Sequence, residues 1–162
     1  MGNMQDAHHI FRESQTMIKK NSKFIKCLNE QQFKTYFIKE QKKEYPDHKY
    51  FCIETEETVK GFPDVMETVK DDAEDCNIAF FYEFKISDSD GRIKFQPTQP
   101  SFYRRNPELN IQVFALHKGT DRVHVFNAAE LFDKNSPYFM NEYARVDLTK
   151  AEEEDESTDC EP

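Results

Sequence analysis

Residues 78–86 read IAFFYEFKI, a nearly unbroken apolar and aromatic run. A run of this length predicts a central strand, buried on both faces of a sheet. A buried strand does not carry Glu83 and Lys85 for packing reasons. The two lie two residues apart, so in a strand they share one face. A further acid, Asp64, sits inside the preceding apolar stretch "GFPDVMETVK", residues 61–70. Gly61 ahead of it permits an unusual backbone path into that strand.

The flanking pattern fixes the fold class. "KFIKCLNEQQFKTYFIKEQKKEYPD" has Phe24, Ile25, Leu28, Phe33, Tyr36 and Phe37 at helical spacing, and Pro46 marks its end. Asn29 can cap a second helix beginning at Glu30, so two helices with a break are expected. Strands follow at 49–54 and 62–69, then the central strand, then a turn at "SDSDGR". "PTQPSFYRRNP" predicts a short helix, with Thr98 as cap, Pro100 in the first turn and Pro107 as the stop. Strands at 111–118 and 122–128 are joined by the hairpin turn "GTD". The order helix, three strands, helix, two strands predicts an α/β domain with a mixed central sheet and flanking helices.

The chain of 162 residues fits one domain, with 15 Phe and 7 Tyr supplying core surface in the absence of Trp. No apolar run is long enough to span a bilayer, and the N-terminus lacks the pattern of a secretory signal. Cys27, Cys52, Cys76 and Cys160 are widely spaced with no CxxC pair, which argues against a zinc site or a disulfide framework. A reduced, cytoplasmic setting follows as the expectation. The net charge of −9 is concentrated in residues 151–162, which hold seven acids and no base; without them residues 1–150 carry −2. That tail has too few apolar residues to fold and is expected to be disordered. Residues 19–49 hold nine lysines against four acids. They can meet phosphates, or simply form the wet face of a helix. The five histidines show no ligand spacing, and His117 with His124 reads as a cross-strand surface pair.

Two carboxylates on neighbouring strands, with a backbone carbonyl, make an oxygen-only site of the kind Mg²⁺ prefers. A lysine beside it can orient an attacking water and offset charge on a phosphate. Asp64, Glu83 and Lys85 therefore have the parts for hydrolysing a phosphodiester. Gln99, at the start of the short helix, falls near the same end of the sheet. Arg104, Arg105 and Lys94 are candidate phosphate contacts.

"GFPDV", "FFYEFK" and "IKFQPTQPSFYRR" together resemble the PD-(D/E)XK nuclease superfamily, over roughly residues 30–127. The nearest likeness is to its small phage-type, Holliday-junction-resolvase-like and virus-type replication-repair branches. The resemblance implies a restriction-endonuclease-like core in the order α-β-β-β-α-β(-β). It implies Asp64 and Glu83 as ligands of Mg²⁺ or Mn²⁺, Lys85 as the residue positioning water, and Gln99 as support for the metal site or for Lys85. It also implies a metal contact from the Phe84 backbone carbonyl and a further glutamate on the first core helix. Glu30 and Glu40 both share that helix's apolar face; Glu30 is preferred because "EQQFKTYF" starts a helix, as the family's glutamate does. Pro100 and Pro107 shorten the Gln99 helix, and "KDDAEDCN" (70–77) is acidic; both depart from the family.

The expected organisation is an N-terminal helical extension (1–22), a nuclease core (23–133), a C-terminal extension (134–150) and the disordered acidic tail (151–162). The expected function is metal-dependent hydrolysis of DNA by an intracellular, phage-type protein with no membrane contact. Junction substrates would require a homodimer. The rival expectation is a non-catalytic module that binds a partner through the acidic tail.

Overall fold

The structure, a computed structural model, describes residues 16–53 and 61–158. The chain folds as a mixed α/β domain around a six-stranded sheet in the order β1-β7-β6-β4-β3-β2. The strands are β1 (Met17–Lys20), β2 (Lys49–Cys52), β3 (Val65–Asp71), β4 (Cys76–Ile86), β6 (Gln112–Leu116) and β7 (Arg122–Asn127). Only β4 and β6 pair in parallel; the other neighbours are antiparallel. A second sheet pairs β5 (Arg92–Lys94) with β8 (Arg145–Asp147). The described residues include three α-helices: α1 (Glu30–Glu44), α2 (Thr98–Arg105) and α3 (Leu148–Thr158).

The strand β4 divides its side chains between two cores. Its even positions, Phe80, Tyr82 and Phe84, pack with Phe33 and Phe37 of α1. Its odd positions face the other side, where Phe95, Tyr103, Val113, Ala115 and Phe126 form a second core under α2 and β5–β8. The sheet is thus the middle of three layers. Glu83 and Lys85 are buried on the α2 side.

Asn29 caps α1 as its sequence suggests: its side chain accepts from the Gln32 N–H at 2.9 Å. The preceding apolar residues form only a 3₁₀ turn, Phe24–Lys26. The start of α2 differs from expectation. Pro97 holds the cap position without a side-chain bond, and Thr98 is the first helical residue.

Three boundary expectations are corrected. Residues 17–20, expected within a helical extension, are the edge strand β1, paired with β7 from Met17↔Val125 to Lys20↔Arg122. Met17 packs on the core cluster, so pairing outweighs the short helical tendency. Residues 1–15 lie outside the described residues. Residues 134–150 are not an appendage: Tyr138, Val146 and Leu148 are fully buried. Tyr138 stacks on Phe126 with centroids 4.1 Å apart.

The acidic tail is ordered as α3 through Thr158, with residues 159–162 outside the described residues. Asp147 caps it, accepting from the Thr149 N–H at 3.0 Å. Leu148, Ala151 and Glu152 turn inward while Glu153, Glu154, Asp155 and Glu156 stay in water. Glu152 is what makes docking of so acidic a helix favourable. His117 Nδ1 (2.7 Å) and His124 Nε2 (3.0 Å) meet its Oε1, and Arg122 meets its Oε2 at 3.1 Å. His117 and His124 are therefore not a surface pair. Burial alone would raise the Glu152 carboxyl, but the hydrogen bonds and the charges of His117 and His124 together lower it.

Candidate metal and phosphate site

Asp64 stands just before β3, which pairs with β4 from Val65↔Tyr82 onward. It therefore lies beside Glu83 on the neighbouring strand. The turn that delivers it is fixed by Gly61 and Phe62. Gly61 has φ +92°, and a Cβ there would lie 2.3 Å from the Thr98 carbonyl oxygen. Only glycine fits, for backbone angle and for space. Phe62 packs against Phe81 and against Phe102 of α2. The approach to Asp64 and the start of α2 are thus one packed unit.

Beyond Asp64, β3 no longer lines β4. The Phe84 N–H is instead taken by Asp64 Oδ2 at 3.2 Å. A strand residue points its N–H and C=O to the same side, so the Phe84 carbonyl faces this same gap. Glu30, the first residue of α1, reaches the gap from the other layer. Glu30 is exposed to solvent as a residue, but partial desolvation of its carboxyl raises it; the charge of Lys85 and a hydrogen bond from the Ile86 backbone oppose that rise, and Asp64 adds to it. Glu30 is thus within electrostatic reach of Asp64 and Lys85. Glu40 lies with Lys43 (3.2 Å) and Lys23 (4.0 Å) instead.

Gln99 bridges the buried pair. Its Nε2 donates to Glu83 Oε1 at 2.6 Å, and its Oε1 accepts from Lys85 Nζ at 3.0 Å. The Gln96 N–H at 2.9 Å fixes the amide further. Lys85 Nζ lies 3.7 Å from Glu83 Oε1 and 5.0 Å from the centre of the Phe95 ring. Glu83 Oε2 is buried with no hydrogen-bond partner in the protein.

A buried carboxylate oxygen without a donor is costly. Burial, then the Asp64 charge, push the Glu83 carboxyl from 4.5 up to about 8, against the pull of Lys85 and Gln99. Beneath it, burial and then the charges of Glu83 and Asp64 raise the Tyr103 phenol far above its ordinary range. The Tyr103 hydroxyl also acts on Glu83 by a side-chain hydrogen bond, and the carboxylate oxygens of Asp64 and Glu83 are of the hard type that a small dication takes.

The raised Glu83 carboxyl has a sign that can be measured. The folded state keeps the Glu83 proton to a higher pH than the unfolded chain does. Its contribution to stability is therefore present below about pH 4.5 and lost as pH rises towards 8. Thermal melts in a chelator should show this loss, and Glu83→Gln should flatten it. Identical pH profiles for the two proteins would refute the assignment.

The predicted phosphate contacts fare differently. Arg104 lies over the Phe132 ring at 4.5 Å, at the end of α2 opposite Gln99. Arg105 is exposed, and Lys94 is exposed in β5 directly opposite Arg145. None of the three joins the carboxylate cluster. Residues that sequence reading passed over include Lys34, which is buried and acts electrostatically on Glu30 four residues earlier. That spacing was a signal for a helix pair.

Among the described residues, the one group of three His, Cys, Asp or Glu whose ligand atoms all lie within 4.8 Å is His117, His124 and Glu152. Such a set can hold a metal. Here Arg122 already neutralises Glu152, and His124 Nδ1 lies 2.9 Å from the Tyr138 hydroxyl. Burial lowers the His124 imidazole towards its neutral form. The network is complete as a clamp for α3.

Comparison of the chain with models of known protein families, with curated proteins and with solved structures finds no match. No helix of the described residues is long and apolar enough to cross a membrane.

Proposed function

We propose that the protein is a metal-dependent nuclease that hydrolyses phosphodiester bonds of DNA. The observation that carries this is the buried Glu83–Gln99–Lys85 bridge beside Asp64, on the gap where β3 leaves β4. Burying an acid and a lysine, Glu83 and Lys85, beside the half-buried Asp64 is costly to stability and is repaid where chemistry needs them. The resemblance to PD-(D/E)XK nucleases supports the same reading. So does the order α1, β2–β3–β4, α2, β6–β7, read as a restriction-endonuclease-like core with β1, β5, β8 and α3 added.

Asp64, Glu83 and the Phe84 carbonyl would hold Mg²⁺ or Mn²⁺, with Glu30 at the margin of the site. A bound dication supplies an acidified water and offsets charge on the phosphate. Lys85, held by Gln99 at 3.0 Å, would supply the positive charge that positions the attacking water and offsets charge on the phosphate. Gln99 keeps Glu83 and Lys85 in fixed rotamers, so the site needs no reorganisation during reaction. Tyr103 and Phe95, both buried, would shield this side of the site from bulk water. An intracellular, phage-type setting and a homodimer for branched substrates belong to this proposal.

Calorimetric titration with Mn²⁺ tests the metal site. The wild type should bind, and Asp64→Ala should weaken binding at least about 100-fold, beyond the effect of losing an outer-shell partner. Equal binding by both proteins would remove Asp64 from the site.

A further inference from the structure

The 3₁₀ turn Phe24–Lys26 and the cap that follows it place two apolar side chains in water. Ile25 is 44% exposed and Leu28 69%. Their exposure is not looseness. Phe24 and Cys27 are buried, and Phe24 meets Phe33 and Tyr36 edge-on at 5.3 and 5.1 Å. The Leu28 N–H donates to Gln32 Oε1 at 2.8 Å, so the backbone is pinned to α1.

Lysines alternate with these residues, in the order Lys23, Ile25, Lys26, Leu28. Lys23 and Lys26, with Gln32 and Tyr36, line a cleft of about 530 Å³ beside the turn. From residue 19 to residue 39 there are six lysines and one acid, and that acid is Glu30. Leu28 is two residues from Glu30, which is in electrostatic reach of Asp64 and Lys85.

Cations that track a phosphate backbone, with rigid apolar side chains between them, suit DNA whose bases are exposed. Apolar wedges pay the cost of unstacking, which is least where bases are already unpaired. We propose that residues 23–28 are a wedge that binds DNA where duplex gives way to unpaired strand: a fork, a flap or a frayed end. This rests on the nuclease reading and names the substrate class that the site would take.

The test is fluorescence anisotropy of the full chain in a chelator, so that no cutting occurs. The probes are a continuous duplex and a splayed duplex of the same sequence. The wild type should prefer the splayed duplex, and Leu28→Ser should lose about ten-fold on that probe alone, the affinity carried by burying one leucine. Lys26→Ala should weaken both probes alike and reduce the salt slope by about 0.9. Leu28 is exposed, so folding is not at stake, and circular dichroism checks it. Equal affinity of the wild type for both probes, or a preference that survives Leu28→Ser, overturns the wedge. Binding to anionic lipid vesicles but to neither DNA overturns it too. If Mg²⁺-dependent plasmid cutting persists alongside such a result, the wedge falls and the nuclease reading stands.

Discussion

Replacing Lys85 by methionine should reduce DNA cleavage by at least about 10²–10³-fold, the range seen when one preorganised charge or donor at a reacting centre is removed. Methionine keeps the aliphatic stem beside Phe95 and removes the charge together with the hydrogen bond to Gln99 Oε1. Lys85 is buried, accepts no competing role at the surface, and has its Nζ fixed by Gln99 and Glu83. It donates rather than ligates, so Mn²⁺ binding should survive, and should tighten as a nearby positive charge disappears. Loss of cutting with retained metal binding separates a positioning and charge-offsetting role from a ligand role. A Lys85→Met protein that cuts at the wild-type rate would exclude Lys85 from the chemistry.

Glu67→Ala should lower stability by about 3 kcal/mol or more, because it strands several buried donors at about 1–3 kcal/mol each. Glu67 is fully buried on the α1 side of β3. Its Oε1 is met by His48 Nδ1 at 2.6 Å and by the Tyr50 hydroxyl at 2.8 Å, and its Oε2 by the Tyr82 hydroxyl. This carboxylate ties β2 to the sheet, since β2 itself is only four residues long. The melting temperature should fall by roughly 6–12 °C for a domain of this size. A Glu67→Ala protein that melts with the wild type would show that the three donors find other partners.

The two carboxylates at 64 and 67 show what the sequence makes legible. Val65, Glu67 and Val69 alternate onto one face of β3, so Glu67 was readable as an inward residue. Its partners were not, because Tyr50 and Tyr82 come from two other strands, whose register only the fold sets, and His48 from the loop before β2. Asp64, Glu83 and Lys85 stood out because they break apolar runs, and the structure does place them together. Gln99 was legible as a neighbour but not as the bridge, since the bridge depends on how Gly61 lets α2 approach the sheet.

Charge misled where it was dense. The seven acids of residues 151–162 read as a chain that cannot fold, yet one of them, Glu152, supplies the carboxylate on which His117, His124 and Arg122 converge. A composition average cannot reveal one acid with three partners far away in sequence. Arg104, a candidate phosphate contact by its charge, has Phe132 as its neighbour in the fold, which the sequence does not reveal. The edge strand β1 and the small sheet β5–β8 were missed because strands of three or four residues leave little periodicity to read.

Asp64 and its neighbours are proposed to form the centre of a metal-dependent nuclease. The most direct measurement is cleavage of plasmid, linear and branched DNA by the purified chain with Mg²⁺ or Mn²⁺, beside the same reactions in chelator and with Asp64→Ala. The account predicts cutting by the wild type with metal only, and none above background by folded Asp64→Ala. Folded wild type that cuts none of these substrates with either metal, or Asp64→Ala that cuts as well as wild type, would contradict it.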